Sequence, residues 1–205
     1  MMSRVAGAIV IASGLLAVIP AHAAPPNATF PPSPTINLDP EERLSGGAPN
    51  GLFRMSGVSP IPRTTVDISA REAPGTIIVN TRERRLYYVL GEGRALRYGI
   101  GVGRDGFQWG GVHRVTAKKE WPSWTPPAQM LKRRPDLPRF MPGGEDNPLG
   151  ARAMYLGSTL YRIHGSNEPE TIGQAVSSGC FRMTNEDVID LYDRVRVGAK
   201  VVVVR

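Results

Sequence analysis

Apolar residues along this chain recur mostly at every second position, in short runs closed by glycine or polar turns, which is the pattern of half-buried strands. Residues 76–80 and 85–90 are β-branched and aromatic runs separated by a polar turn, and Gly91-Glu92-Gly93 leads into a third run over 94–102. Residues 112–118 alternate, 152–156 and 160–164 read as a hairpin around Gly157-Ser158, and 200–204 carry an unbroken valine run, as for a strand buried on both faces. One segment instead has a helical period. Thr184 is placed to cap it with Asp187 three residues on, Val188, Leu191, Tyr192 and Val195 form its apolar stripe, and Gly198 ends it. There are no internal repeats. The pattern predicts a mainly β domain, a β-sandwich or open barrel, with this single substantial helix after the only cysteine.

The periodic part of the chain is expected to span 71–205. Before it, residues 24–70 hold nine prolines with much Gly, Ser and Asn and little periodicity, and read as a mostly disordered tether. Its last part has apolar residues able to dock on the domain, namely Leu52, Phe53 and Val58. Residues 1–23 have the design of a signal peptide: Arg4, an apolar run over 5–19, and Ala21-His22-Ala23 before the cleavage point. That run is too short for a comfortable span, so no integral membrane segment is expected after cleavage.

Charge and cysteine count narrow the function. The chain carries a formal charge of +7, and loss of Arg4 with the leader leaves +6. A basic exported protein favours anionic partners of a cell envelope, while export and the lack of a recognition motif argue against nucleic acid. The chain has one cysteine, so export leaves Cys180 without an intramolecular disulfide partner: the thiol is either buried or used. With His113 and His164 as the remaining imidazoles, a closed structural zinc site lacks ligands, and no metal is expected. Gly101-Val102-Gly103-Arg104-Asp105-Gly106 matches a dinucleotide fingerprint in spacing, but a strand rather than a helix follows it, so these glycines read as turn and close-approach positions. Residues 120–149 hold seven prolines with Trp121 and Trp124; such a loop is a groove wall or lid beside a site, or its indoles simply pin it to the core.

The chemistry concentrates between Ile163 and Met183. A thiol attacks as thiolate and needs a neighbour that takes its proton, for which imidazole is best matched; His164 lies close enough in sequence to serve Cys180. The Ser177-Ser178-Gly179-Cys180 turn is expected to run into the helix and to turn backbone N–H groups outward, toward a thiolate or an oxyanion. The alternative is a small buried cysteine and a hydrogen-bonded histidine at a strand end.

Tyr161-Arg162-Ile163-His164-Gly165-Ser166-Asn167 followed by Ser177-Ser178-Gly179-Cys180-Phe181-Arg182-Met183 resembles the YkuD-type L,D-transpeptidase signature. Gly101-Val102-Gly103-Arg104, 121–127 and Asn147-Pro148-Leu149-Gly150 are similar to the exported Gram-negative branch. Phe181 stands where Ile or Val is common, and Phe107-Gln108-Trp109-Gly110-Gly111 replaces a more frequent Thr-Pro-x-Gly. The resemblance implies a periplasmic enzyme acting on peptidoglycan stem peptides. Cys180 would be the nucleophile, His164 the base, the Gly165 carbonyl the orienting group, and the N–H groups of Gly179 and Cys180 the oxyanion donors. Arg182, Ser178, Trp121 and Trp124 are the candidates for substrate contact, although Arg182 could instead brace the turn and Ser178 shape it. The acceptor of the acyl group would be the diamino acid of a second stem, water, or an amine of an outer-membrane protein. The resemblance requires no cofactor, and it implies that a carbapenem acylates the same thiol. A cell-wall-binding module with an inert cysteine is the non-enzymatic alternative.

Overall fold

The computed structural model describes residues 59–69 and 71–205. The leader, most of the tether, and Leu52, Phe53 and Val58 lie outside the described residues. Among the described residues, eleven strands and two α-helices follow one another: β1 (Thr64–Asp67), β2 (Ile77–Asn80), β3 (Arg85–Gly91), β4 (Arg94–Gly99), β5 (Val102–Gly103), β6 (Gly111–Glu120), α1 (Ala128–Arg133), β7 (Arg152–Leu156), β8 (Arg162–His164), β9 (Ala175–Ser177), β10 (Phe181–Arg182), α2 (Asn185–Arg194) and β11 (Lys200–Val204). Nine of the strands form one mixed sheet in the order β1-β4-β3-β2-β11-β6-β7-β8-β10, and β5 pairs with β9 beside it.

The nine strands cannot lie flat. Ile77, Val79, Leu86 and Tyr98 from one arm share a single buried cluster with Met154, Leu156, Ile163 and Phe181 from the other. At about 4.8 Å per strand, a flat sheet would hold β4 and β8 roughly 29 Å apart. The fold-over occurs in β6. Its first half pairs with β11 (Val112↔Val202), its second half with β7 (Lys118↔Met154), and the register shifts between Val115 and Ala117. A bulged strand serving two layers is how a β-sandwich turns its corner. The fold class expected from the sequence is the one observed.

Local sequence accounts for most boundaries. The β3–β4 turn places Glu92 and Gly93 at φ 52° and 70°, the mirror-image turn that suits the twist of a hairpin. α2 starts where expected: the Thr184 hydroxyl accepts the Asp187 N–H at 3.2 Å, and Val188 and Leu191 are fully buried in the core. Its C-terminal carbonyls, those of Tyr192 and Val195, are capped by the Lys118 ammonium at 2.6 Å each.

Three expectations need correction. The fold begins before residue 71: Thr64–Asp67 is an edge strand paired antiparallel to β4, Val66 and Ile68 are buried, and Arg63 reaches Asp187 and Asp190 of α2. The run 94–102 is broken rather than continuous. Gly101 leaves the first layer to bridge Arg182 in the second, at a point where a side chain would press on the Thr171 carbonyl. Finally, β11 is not buried evenly on both faces. Val201 and Val203 enter the main core, whereas Val202 and Val204 are only half-buried.

Candidate active site

β8 and β10 build the site. β8 pairs antiparallel with β7, setting Ala153 opposite His164, and parallel with β10, setting Arg182 opposite His164 and Phe181 opposite Ile163. Since successive side chains alternate across a strand, His164, Arg162, Arg182 and Cys180, the residue leading into β10, fall on one face. His164 is buried, at 4% exposure, and its Nδ1 lies 2.6 Å from the Gly165 carbonyl. A carbonyl only accepts, so the proton sits on Nδ1 and the lone pair on Nε2. Burial, helped by the Arg182 charge, pushes the imidazole down to about 3. Position 165 must be glycine, because a Cβ there would lie 2.3 Å from the Asn185 Oδ1, which accepts the Ala151 N–H at 2.9 Å. The first residue of α2 thus locks the strand end that carries the imidazole.

The cysteine turn is held from inside. Ser177 is buried; its hydroxyl accepts the Gly179 N–H at 3.1 Å and donates to the Cys180 carbonyl at 2.6 Å. Gly179 has φ 107°, a left-handed conformation, and a Cβ there would meet the Tyr161 ring at 2.5 Å. The Cys180 thiol is half-buried and makes a long contact of 3.9 Å to the Leu160 carbonyl, not one to the imidazole. Burial pushes the thiol up, with Arg162 and then Arg182 pulling the other way. Both shifts favour the neutral forms, a thiol and an imidazole, over the ion pair that an already ionised cysteine would need. The turn also differs from expectation downstream: it runs into β10, and α2 begins only at Asn185. Helix-end N–H groups do not reach the sulfur, and the turn's own backbone must supply any donor.

The other predicted residues fall into place unequally. Arg182 pairs with Glu168 at 2.8 Å, which ties β10 to the loop after β8. Ser178 is half-exposed on the turn that Ser177 fixes. Trp121 is 42% exposed and donates its backbone N–H to the Ala151 carbonyl. Trp124 exchanges backbone bonds with Met141 at 2.8 Å in both directions, closing the base of the long loop on itself. Neither indole has a hydrogen bond or ring contact to Cys180 or His164. The tryptophan that meets the site is Trp109, which sequence reasoning passed over. Its ring stacks on Tyr161 at 4.3 Å and 8°, meets His113 edge-on at 4.9 Å, and sends Nε1–H to the Gly179 carbonyl at 2.6 Å. The only signal for it was the Phe107–Gly111 departure from the family pattern.

The L,D-transpeptidase catalytic domain family, YkuD, matches residues 74–203. The chain belongs to that family. It is 35% identical over 192 residues to the probable L,D-transpeptidase ErfK/SrfK of Escherichia coli, a match over 83% of this chain and 61% of that protein. It is 36% identical over 131 residues to a putative L,D-transpeptidase of Fuscovulum blasticum, over 62% of this chain and 68% of that one. The fold is similar to that of an L,D-transpeptidase from Mycobacterium smegmatis, with TM-score 0.53, 15% identity, and coverage of 69% of this chain and 67% of the other. The chain spans less than two thirds of the E. coli relative's length. Among the described residues, no three His, Cys, Asp or Glu side chains gather as a metal site, and no helix is long and apolar enough to cross a membrane.

Proposed function

We propose that the protein is an exported L,D-transpeptidase that forms 3-3 crosslinks in peptidoglycan through a thioester on Cys180. The observation that carries this reading is the tautomer lock on β8. With Nδ1–H bound to the Gly165 carbonyl, the imidazole's free lone pair is on Nε2 and belongs to the strand beside the one that Cys180 leads. Family membership and relatives named as L,D-transpeptidases support the same chemistry.

In this reading the thiol sulfur attacks the carbonyl joining the diamino acid of a donor tetrapeptide stem to its terminal D-Ala, as His164 takes the thiol proton. Collapse of the tetrahedral intermediate breaks the amide bond, returns that proton to the departing D-Ala amine, and leaves the thioester. The side-chain amine of a second stem's diamino acid then attacks, loses its proton to His164, and restores the thiol. Both resting groups are neutral, so the proton moves during attack instead of before it. The donor bond supplies the free energy of the new one, and no cofactor enters. In this reading the leader over 1–23 directs export, and the enzyme meets its cell-wall substrate in the periplasm.

The test is incubation of the mature protein with purified tetrapeptide stems, followed by mass analysis. The reading predicts release of D-Ala together with a dimer one D-Ala lighter than two joined donors. D-Ala release without dimer would make the enzyme an L,D-carboxypeptidase, and a stem joined to an outer-membrane protein in cells would make it an anchoring enzyme. No D-Ala release would favour a wall-binding module.

A further inference from the structure

We propose that Trp109 is the positioning residue of the oxyanion site, and that its indole N–H sets the orientation of the Gly179–Cys180 peptide. This rests on the acyl-transfer reading above.

Of the two backbone N–H groups that could face a developing oxyanion, that of Gly179 is already donated to the Ser177 hydroxyl at 3.1 Å. The Cys180 N–H has no acceptor among the described residues. It is also bonded to the residue whose sulfur attacks, so an oxyanion formed there lies within its reach. What fixes its direction is the carbonyl at the other end of the same peptide. The peptide is trans, and in a trans peptide C=O and N–H point in opposite directions across a rigid plane. Trp109 Nε1–H holds the Gly179 oxygen at 2.6 Å. Fixing that oxygen on the indole side turns the Cys180 N–H to the opposite side.

The surroundings make this a fixed device rather than a chance contact. Trp109 packs on the Tyr161 ring, stacked at 4.3 Å, and against Phe181, at 5.1 Å between centroids. Tyr161 is also the ring that forbids a side chain at Gly179. A glycine with φ 107° can rotate its peptide more freely than any other residue. With Ser177 holding one flank and Trp109 the other, that freedom is removed at the peptide where the chemistry needs a fixed donor. A flipped peptide would aim a carbonyl oxygen, not an N–H, at the negative charge.

Trp109→Phe keeps most of the aromatic stack and deletes only the donor, and two thiol reactions then separate the roles. Iodoacetamide alkylation passes through no oxyanion and reports the thiol and its base. Carbapenem acylation does form one, by attack on the lactam carbonyl. We expect the first-order acylation constant of Trp109→Phe to fall by at least tenfold, while alkylation stays within about twofold and thermal unfolding stays cooperative. Trp109→Ala is the second variant: it should lose acylation and, through the lost stack, alkylation and stability as well. Acylation of Trp109→Phe at the parent rate overturns the inference, and so does a parallel fall of both reactions, which would make Trp109 only a packing residue. Failure of the parent itself to be acylated strikes instead at the acyl-transfer reading.

Discussion

Two clusters of buried or half-buried ionisable groups that rest on helix α2 are built for opposite ends. In the first, His164 is locked by Gly165 and backed by Asn185, and the thiol of Cys180 lies 3.9 Å from the Leu160 carbonyl and beside Arg162. In the second, Asp190 accepts from the Tyr98 hydroxyl at 2.6 Å and from Arg194 at 2.9 and 3.0 Å, with Arg63 at 3.2 Å, while Arg63 also approaches Asp187 at 3.7 Å. Perturbed ionisation is common to both, so perturbation alone does not mark the functional one. What separates them is pairing. The Asp190 carboxylate is met by cations and a hydroxyl, whereas the first cluster leaves an imidazole and a thiol without a mutual bond.

The largest effect should come from removing the proposed nucleophile. Cys180→Ala is expected to abolish the carbapenem adduct and D-Ala release, with unfolding within about 1 kcal/mol of the parent, because a single half-buried sulfur leaves little cavity. A retained adduct, located on another residue, would transfer the chemistry elsewhere. His164→Gln comes next. The amide can still donate to the Gly165 carbonyl but is no base, so acylation should fall by about 10²- to 10⁴-fold with the fold preserved. Comparable acylation in parent and variant would reduce His164 to a strand-end residue.

The second cluster should answer in stability instead. A chain beginning at Arg71, compared with one beginning at Ser59, loses β1, the burial of Val66 and Ile68, and the Arg63 contacts to α2. Two apolar side chains at about 1.5 to 3 kcal/mol each give a loss of about 3 to 6 kcal/mol in denaturant titration. Surviving molecules should acylate at the parent rate. Equal midpoints for the two chains would return the boundary to 71.

How much of this was legible follows from sequence distance. His164 and Cys180 lie in adjacent motifs, and the strand and helix periods around them are local, so the proposed nucleophile and base could be picked out directly, as could the layered β fold. β1 could not: its four residues follow two prolines, and its partner β4 is recognisable only in three dimensions. β9 and β10 are three and two residues long, too short to show a period. Trp109 was hidden for a different reason. Its acceptor lies 70 residues away on a backbone atom, and no side-chain pattern announces a backbone partner. Trp121 and Trp124, which composition made conspicuous, turn their backbones to Ala151 and Met141 instead.

The smallest effects are in pH dependence, where the clusters should report at opposite ends of the scale. In the first, burial raises the thiol and lowers His164 to about 3. Alkylation of Cys180 should therefore climb through a midpoint above the ordinary thiol value of about 8.5, with no step near 6.5. A step near 6.5 would mean that the imidazole is charged at rest. In the second, burial works against the Asp190 carboxylate, but the hydrogen bonds from Arg194 and Tyr98 outweigh it and its pKa is lowered. A lowered carboxylate contributes stability that is present above its unfolded value, about 3.9, and lost as pH falls through the folded one. Asp187 runs the other way. Burial raises its pKa, so its contribution is complete below the unfolded value and is lost as pH rises through the folded one. Thermal unfolding from pH 2 to 6 should then show Asp190→Asn with a shallower acid loss than the parent, and Asp187→Asn with a steeper one. The same slope in both variants would mean that the two carboxylates titrate as one group, and that the second cluster is not divided as its hydrogen bonds indicate.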